Sequence, residues 1–229
     1  MLKNNVIIYD HECPMCAVYT DAFLKSGLLD KDGRYKYADL DKFSAEVLID
    51  KDRARHEIAL VDTEKMEVRY GLDSLFYILA TRFPALNLLF KQKYFVLIMK
   101  ELYYFISYNR KIIAPSPKQD ASSCVPDFHL KYRVLYILGM LYVVASFAIY
   151  FDVFLLFWAY WAAQVIFSMI IFKEKTITYL GHQITILLIA CLLMIPSIFF
   201  SNLLYINILI SLTVVIKEFW RRWKVMKFV

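Results

Sequence analysis

The chain has 229 residues, a net charge of +6 and a hydrophobic fraction of 60%, whereas soluble domains are roughly 45–50% apolar. This composition argues against a purely cytosolic protein, and the low content of glycine (5) and proline (6) excludes disordered and low-complexity architectures. Residues 1–133 carry 38 of the 48 charged side chains, and residues 134–216 carry four. We therefore predict a hydrophilic domain at 1–113, a linker at 114–130 and a membrane domain at 131–229.

The hydrophilic part alternates between strand and helix patterns. The apolar run at residues 6–9 predicts a buried strand, and it is followed by Cys13-Pro14-Met15-Cys16 and a helical repeat that ends at Gly27. The later patterns predict strands at 35–41, 57–62 and 67–70, a hairpin at 63–66, and helices at 43–52 and, capped by Asp73, at 73–83. This order of elements, with a CxxC motif between the first strand and the first helix, is typical of a thioredoxin-like α/β domain.

Residues 85–110 are a long helical candidate that is apolar on nearly all sides. Four cations, Lys91, Lys93, Lys100 and Arg110, argue against a membrane span. A helix of this kind either fills a core or docks the domain onto the bilayer surface. The sequence alone leaves both interpretations open.

The membrane part contains four apolar stretches that approach the about 20 residues needed to cross a bilayer. They predict helices at 134–151, 153–172, 180–200 and 202–219, with a tight reversal at Asp152. Residues 176–183 are either a loop at the membrane surface or the first turns of the third helix. We therefore predict an all-α transmembrane domain of four helices in two hairpins.

The positions of Lys and Arg predict the orientation of these helices, because such residues are retained on the cytoplasmic side. A four-helix topology with both termini inside places all the cations near the helix ends on one face: Lys131, Arg133, Lys173, Lys175, Lys217, Arg221, Arg222, Lys224 and Lys227. The N-terminus lacks a cleavable apolar core, so we expect the hydrophilic domain to face the reducing cytosol. Residues 1–133 have a net charge of only +2, and we expect no nucleic-acid partner.

The Cys13-Pro14-Met15-Cys16 motif predicts a dithiol that cycles with a disulfide. A cysteine at a helix N-terminus has a lowered pKa, because the helix dipole and the unpaired N–H groups favour the thiolate. We expect Cys13 to be the exposed nucleophile and Cys16 the partly buried resolving cysteine. Pro14 fits the first helical positions, where no N–H is needed. This chemistry requires no cofactor beyond the cysteine pair.

Two other interpretations of the motif remain open. The cysteines are ordinary core residues in one, and in the other they bind Cu(I) as soft ligands, together with Met15. A structural zinc site is disfavoured, because the chain has no second CxxC motif and Cys124 is the only further cysteine on the hydrophilic side.

Four further residues are candidates for supporting roles. Asp10 either accepts the proton of Cys16 during exchange or caps the following helix, and His11 either stabilises the thiolate or is an exposed loop residue. For Cys124 three interpretations are open: it exchanges with the motif cysteines, it is palmitoylated, or it has no role. We expect Cys191 to be a small apolar residue that packs within the third membrane helix. Because the chain has no second cysteine pair in the membrane, electrons would cross it only through a quinone or a partner protein.

The segment Tyr9-Asp10-His11-Glu12-Cys13-Pro14-Met15-Cys16 resembles the signature of the DCC family of thiol-disulfide oxidoreductases, an Asp-x-x-Cys-x-x-Cys pattern. The resemblance covers residues 4–113, including the helix start at 71–80 and the Tyr108-Asn109-Arg110 run. It implies a thioredoxin-like fold and disulfide oxidoreductase activity, with the family's Asp and two Cys at Asp10, Cys13 and Cys16. The sequence departs from the family at His11, where Gly is usual. It also has Arg55-His56-Glu57 where thioredoxins have a proline before the third strand.

We therefore predict a membrane-anchored thiol-disulfide oxidoreductase whose substrates are protein or small-molecule thiols and disulfides. The lipid bilayer is its expected partner, and the sequence leaves open whether it also binds a membrane protein. The alternatives are a membrane-tethered binding or assembly module built on the thioredoxin-like domain, and a Cu(I)-binding protein.

Overall fold

The computed structural model of the chain describes residues 2–116 and 126–227. Contacts between Cα atoms divide the chain into two compact units, Met1–Phe128 and His129–Val229. The first unit is an α/β domain with a four-stranded sheet, and the second consists of long apolar helices. The predicted fold class, a thioredoxin-like domain followed by a domain of four long apolar helices, is confirmed.

A mixed sheet forms the centre of the first unit. Its strands are β1 (Asn5–Tyr9), β2 (Arg34–Lys36), β3 (Ala59–Asp62) and β4 (Glu67–Tyr70), in the spatial order β2-β1-β3-β4. β1 is parallel to β2 and antiparallel to β3, and β3 pairs with β4 in the predicted hairpin. The two middle strands are mostly apolar and buried, as expected for strands that are covered on both faces.

Helices and apolar side chains cover both faces of this sheet. The helices in the described part of the unit are α1 (Pro14–Lys25), α2 (Lys51–His56), α3 (Gly71–Arg82), α4 (Leu86–Phe90) and α5 (Lys93–Ile113). In one core cluster, Ile7 of β1 is grouped with Ile78 of α3, and in the other Ile8 is grouped with Ala54 of α2. Successive side chains of β1 thus point to opposite faces of the sheet and pack into both parts of the core. This packing holds in place the strand that leads into the cysteine motif.

Two elements between β1 and β3 differ from the prediction. The strand predicted at 35–41 is only three residues long, and Tyr37–Lys42 forms a 3₁₀ helix that buries Leu40. The alanine and aspartates of this segment disfavour a longer strand. The helix predicted at 43–52 is also wrong, because Asp50 accepts a hydrogen bond from the backbone N–H of Arg53 (3.0 Å) and α2 begins after this cap.

The start of α3 lies two residues before the predicted cap. Tyr70 is the N-cap, and Asp73 lies in the first turn of the helix. Gly71 adopts a positive φ of 57°, and a Cβ atom at this position would lie 2.7 Å from Oε2 of Glu57. Glycine is therefore favoured where the chain passes from β4 into α3.

The helix predicted at 85–110 is two helices, α4 and α5. They are separated at Gln92, whose backbone is extended (φ −75°, ψ 117°). Phe90 at the end of α4 and Phe95 in the first turn of α5 both stack with Phe76 of α3, at centroid distances of 4.0 and 6.0 Å. The break coincides with this aromatic packing, and no Pro or Gly in the local sequence marks it.

Within residues 129–227, the second unit has four helices that are long and apolar enough to span a membrane, which confirms the predicted number. Their bounds are α6 (Leu130–Tyr150), α7 (Phe154–Ile171), α8 (Thr176–Phe199) and α9 (Leu204–Lys227). Residues 176–183 form the first turns of α8. The first and last of these helices are longer than predicted: α6 begins earlier and α9 ends later than the apolar stretches. The added segments contain Lys and Arg, which are good helix formers. Asp152 forms the reversal between α6 and α7, with φ of 57°.

α8 contacts each of the other three long helices of this unit. Polar side chains pair across all three of these contacts, and on α7 the Tyr160 hydroxyl donates to Oε1 of Gln183 (3.2 Å). The Tyr136 hydroxyl lies 2.8 Å from Oγ1 of Thr185, and Nη1 of the buried Arg222 lies 3.0 Å from Nδ1 of His182. Such pairs satisfy polar groups that lipid cannot satisfy, and they favour one alignment of α8 against α6 and α9.

We expect the same Val→Ala substitution to have different effects at two positions of the first unit. Val61 in β3 is fully buried (0% exposed), whereas Val47 is 97% exposed. Val61→Ala should lower the free energy of unfolding of the sheet by about 2 kcal/mol, because it removes two buried carbon atoms and leaves a cavity. Val47→Ala should change it by less than about 0.5 kcal/mol. Hydrogen exchange of the β1 and β3 amides in the full-length protein measures both effects; equal protection in the two variants would contradict the assigned core.

Candidate functional site

The end of β1 and the start of α1 hold the cysteine motif. The buried Asp10 follows β1, and its Oδ1 accepts a hydrogen bond from the backbone N–H of Glu12 (3.1 Å). The backbone N–H of Cys13 donates to the carbonyl of Asp10 (3.3 Å), which closes the turn. Cys13 is then the N-cap of α1, with Pro14 in its first turn. Both cysteines therefore belong to the start of one helix, with Cys16 one turn inside it.

Both motif cysteines are free thiols and both are buried. Cys13 is 6% exposed, so the expectation of an exposed nucleophile is wrong. The closed turn precedes this cysteine, and the side chains of Arg110 and Lys111 from α5 are close enough to interact with it electrostatically. A substrate disulfide must therefore reach a sulfur atom that has little free surface.

The two thiols form a hydrogen-bonded pair whose members differ in acidity. The hydrogen bond from the Cys16 thiol is the main cause that lowers the pKa of Cys13 to about 6, assisted by a Cys16 backbone hydrogen bond and the charge of Arg110. Burial and the charge of Asp10 act in the opposite direction. The same hydrogen bond, with burial, raises the pKa of Cys16 far above the usual range. These effects favour the thiolate at Cys13 and the protonated thiol at Cys16.

Two cations of α5 act on this pair, and sequence reasoning assigned a role to neither. The charge of Arg110 lowers the pKa of both thiols, and its Nη2 donates to the carbonyl of Arg55 (3.0 Å). Burial lowers the pKa of Lys111 to about 8, while the charges of Asp10 and Cys13 act to raise it. Spacing could not indicate these interactions, because 97 positions separate Arg110 from Cys13.

α5 also holds the segment before β3, where thioredoxins have a proline. Besides the Arg110 hydrogen bond, Oγ of Ser107 donates to the carbonyl of His56 (2.6 Å), and the N–H of Ile58 donates to the Tyr103 hydroxyl (3.1 Å). The described residues contain no cis peptide bond. Side chains of α5 thus fix this segment, although the proline of thioredoxins is missing from it.

An apolar cavity of about 360 Å³ lies beside the cysteine pair. Cys16 forms part of its wall, together with apolar side chains of α1, α3, α5 and the segment before β3: Met15, Phe23, Ile58, Leu75, Leu79 and Ile106. Tyr19 also lines the cavity and hydrogen-bonds to Cys16, and burial raises the pKa of this tyrosine well above its usual value. The cavity has the size and lining of a site for an apolar group next to the thiols.

The other residues proposed from the sequence occupy different surroundings. His11 and Pro14 are exposed at the turn, and Cys124 lies outside the described residues. Cys191 is a free thiol of α8 in the second unit. Within residues 2–116 and 126–227, no three His, Cys, Asp or Glu side chains are grouped so that they could hold a metal ion. The structure therefore brings Asp10, Cys13 and Cys16 together, with Arg110 and Lys111 beside them.

This arrangement has the features that thiol–disulfide exchange requires. A stabilised thiolate attacks a disulfide, and a protonated thiol one helical turn away is in position to resolve the mixed disulfide. The protonated state of Cys16 keeps it from competing as the first nucleophile, since only the thiolate reacts.

The N-terminal unit matches a known protein family. Residues 7–114 match the family model described as DCC1-like thiol-disulfide oxidoreductase. The match includes the cysteine motif and reaches just past the end of α5, so it covers the elements that build the site. No curated protein and no solved structure matches the chain.

Alkylation of Cys13 should reveal its lowered pKa. Because only the thiolate reacts, the rate in the wild-type protein should reach half of its maximum near pH 6. Cys16→Ala removes the hydrogen bond with the largest effect and should move this midpoint to higher pH. Arg110→Gln removes a charge but keeps a hydrogen-bond donor, and it should move the midpoint in the same direction by less.

The measurement is the rate of iodoacetamide modification at Cys13, followed by mass spectrometry of the Cys13 peptide. Cys16→Ser is the matched control, because the hydroxyl retains a donor at this position. A Cys16→Ala midpoint equal to that of the wild type would contradict the assigned hydrogen bond.

Proposed function

We propose that the protein is a membrane-anchored thiol-disulfide oxidoreductase whose reacting pair is Cys13 and Cys16, because residues 7–114 match the model of the DCC1-like thiol-disulfide oxidoreductase family. The observation that carries this proposal is the placement of two free, buried thiols at the start of α1, with Cys13 as its N-cap and Cys16 one turn inside it. The substrate is a protein or small molecule that carries a disulfide or a dithiol.

The exchange proceeds in two steps. The Cys13 thiolate attacks one sulfur of the substrate disulfide, so that a mixed disulfide forms and the other substrate sulfur leaves as a thiolate. Once Cys13 is bonded to the substrate, Cys16 gives its proton, through water, to the substrate thiolate released in the first step, and the Cys16 thiolate attacks the Cys13 sulfur. This step releases the reduced substrate and leaves the Cys13–Cys16 disulfide. The reverse sequence oxidises a substrate dithiol.

The lowered pKa of Cys13 bears on the direction of exchange. A thiolate that the protein stabilises favours the reduced form of the pair, which makes the disulfide a stronger oxidant. We therefore propose that the disulfide form of this protein oxidises substrate dithiols more readily than a pair of unperturbed thiols would.

Asp10 acts in this proposal as a positioning residue. Its Oδ1 hydrogen bond to the backbone N–H of Glu12 supports the turn that presents Cys13, and its charge acts against the thiolate. These contacts favour a role in holding the turn over one as the acceptor of the Cys16 proton.

The four apolar helices of the second unit provide the membrane anchor. We propose that the N-terminal unit and the C-terminus face the cytoplasm. The proposal is supported by Lys and Arg near the ends of α6, α7 and α9, and by the loops around Asp152 and Ser201, which contain neither residue type.

A reporter protein that fluoresces only in the cytosol, fused to the C-terminus, tests this orientation. We expect a fluorescent fusion protein. A fusion protein that is present at the normal level but does not fluoresce would contradict the proposed orientation.

The two cysteines should show different phenotypes when each is replaced. Cys13→Ser should abolish exchange with a model disulfide, because the attacking sulfur is lost. Cys16→Ser should accumulate a mixed disulfide with the substrate, because the first step proceeds and the second cannot. Non-reducing gels and mass spectrometry of full-length protein in membranes measure both outcomes. Exchange at the wild-type rate in the Cys13→Ser variant would contradict the proposal.

A pair of substitutions at Asp10 separates its two candidate roles. Asp10→Asn keeps an oxygen for the N–H of Glu12 and removes the negative charge, so exchange should persist and the pKa of Cys13 should fall further. Asp10→Ala removes the hydrogen bond as well and should slow exchange. Rates of mixed-disulfide formation and resolution report both changes. A block in resolution caused by Asp10→Asn would instead identify this carboxylate as the proton acceptor.

A further inference from the structure

The N-terminal half of α5 and the preceding α4 carry a row of exposed apolar side chains. Its members are Leu88, Tyr94, Leu97, Ile98 and Leu102, and we call this row the α4–α5 face. Positions 94, 97, 98 and 102 recur at helical spacing and lie on one side of α5. Ile98 is 66% exposed. Groups of large exposed apolar side chains are uncommon on soluble proteins and mark interaction sites.

The opposite side of α5 packs against the rest of the unit. The exposed apolar side chains therefore belong to a helix that is held in place. Phe95 stacks with Phe76 and Phe90, and the Tyr103 hydroxyl accepts the hydrogen bond from Ile58. The C-terminal half of α5 is anchored in the unit through buried residues such as Arg110. The helix is therefore fixed with the α4–α5 face turned away from the core.

The charges around this face match an anionic lipid surface. Lys91, Lys93 and Lys100 are all exposed, and Glu101 is the only acidic residue between positions 83 and 106. A helix with an apolar side and flanking lysines is the pattern of segments that lie in the headgroup region of a bilayer. Basic side chains are attracted there by the negative surface potential.

The sequence also keeps this face close to a membrane. α5 ends at Ile113 and α6, the first helix that is long and apolar enough to span, begins at Leu130. The 16 residues between them can extend over at most roughly 55 Å. A tether of this length gives the face a high effective concentration at the bilayer surface.

We propose that the α4–α5 face lies on the surface of the lipid bilayer, with its apolar side chains at the boundary between headgroups and acyl chains. The three lysines contact anionic headgroups. Because the same helix carries Arg110 beside the cysteine pair, this contact holds the reacting domain at the membrane surface.

The test is photo-crosslinking with full-length protein in vesicles of phosphatidylcholine and phosphatidylglycerol. Benzoylphenylalanine replaces Ile98 in one sample and Val47, which is 97% exposed in a different part of the unit, in the matched control. We expect lipid adducts at position 98 to exceed those at position 47 by about tenfold, as for a side chain buried among lipids rather than exposed to water. Replacing the three lysines by Gln should lower the yield at position 98 in these vesicles, but not in vesicles of phosphatidylcholine alone.

Other occupants of the face would give other products. Crosslinks from position 98 to a second copy of the chain, or to the long helices of the same chain, without lipid adducts would overturn the proposal. Equal lipid yields at positions 98 and 47 would also overturn it. Hydrogen exchange of the sheet amides, measured on the same samples, confirms that each variant is folded.

Discussion

The hydrogen bond from the Cys16 thiol to the Cys13 thiolate is the interaction on which the rest of the site depends. Burial by itself raises the pKa of both thiols, so a thiolate at Cys13 exists only because several features of the structure act against burial. β1 is fixed between β2 and β3, and the turn at Asp10 places Cys13 at the cap of α1. Cys16 then follows one turn later, where its thiol can donate to the thiolate.

α5 connects this local chemistry with the rest of the protein. Its C-terminal half supplies Arg110 to the cysteine pair and Ser107 to the segment before β3, which is the segment that carries a proline in thioredoxins. Its N-terminal half packs on Phe76 and exposes apolar side chains between lysines. One helix therefore both tunes the thiols and offers a surface suited to lipid. In this account, the electrostatics of the site and its position at a membrane depend on the same element.

The sequence predicts features that rest on local chemistry, and it misses those that rest on distant contacts. The β4 strand, the hairpin before it, the position of Pro14 and the number of long apolar helices follow from local patterns and are confirmed. The break at Gln92 depends on a stack with Phe76, and the burial of Cys13 depends on the fold around it. Arg110 appears in the sequence analysis only as part of a segment that resembles the family. Its effect on the thiols could not be predicted, because no spacing rule links it to a cysteine 97 positions away.

The measurement that tests the central claim most directly is a redox titration of the protein in its native membranes. Thiols are counted by mass-shifting alkylation in the wild type, Cys13→Ser and Cys124→Ser. A reversible two-thiol transition at a potential between about −120 and −270 mV, lost in Cys13→Ser and retained in Cys124→Ser, is the result that a catalytic Cys13–Cys16 pair predicts. Thiols that never form a reversible pair, or a transition that survives Cys13→Ser, would contradict the account.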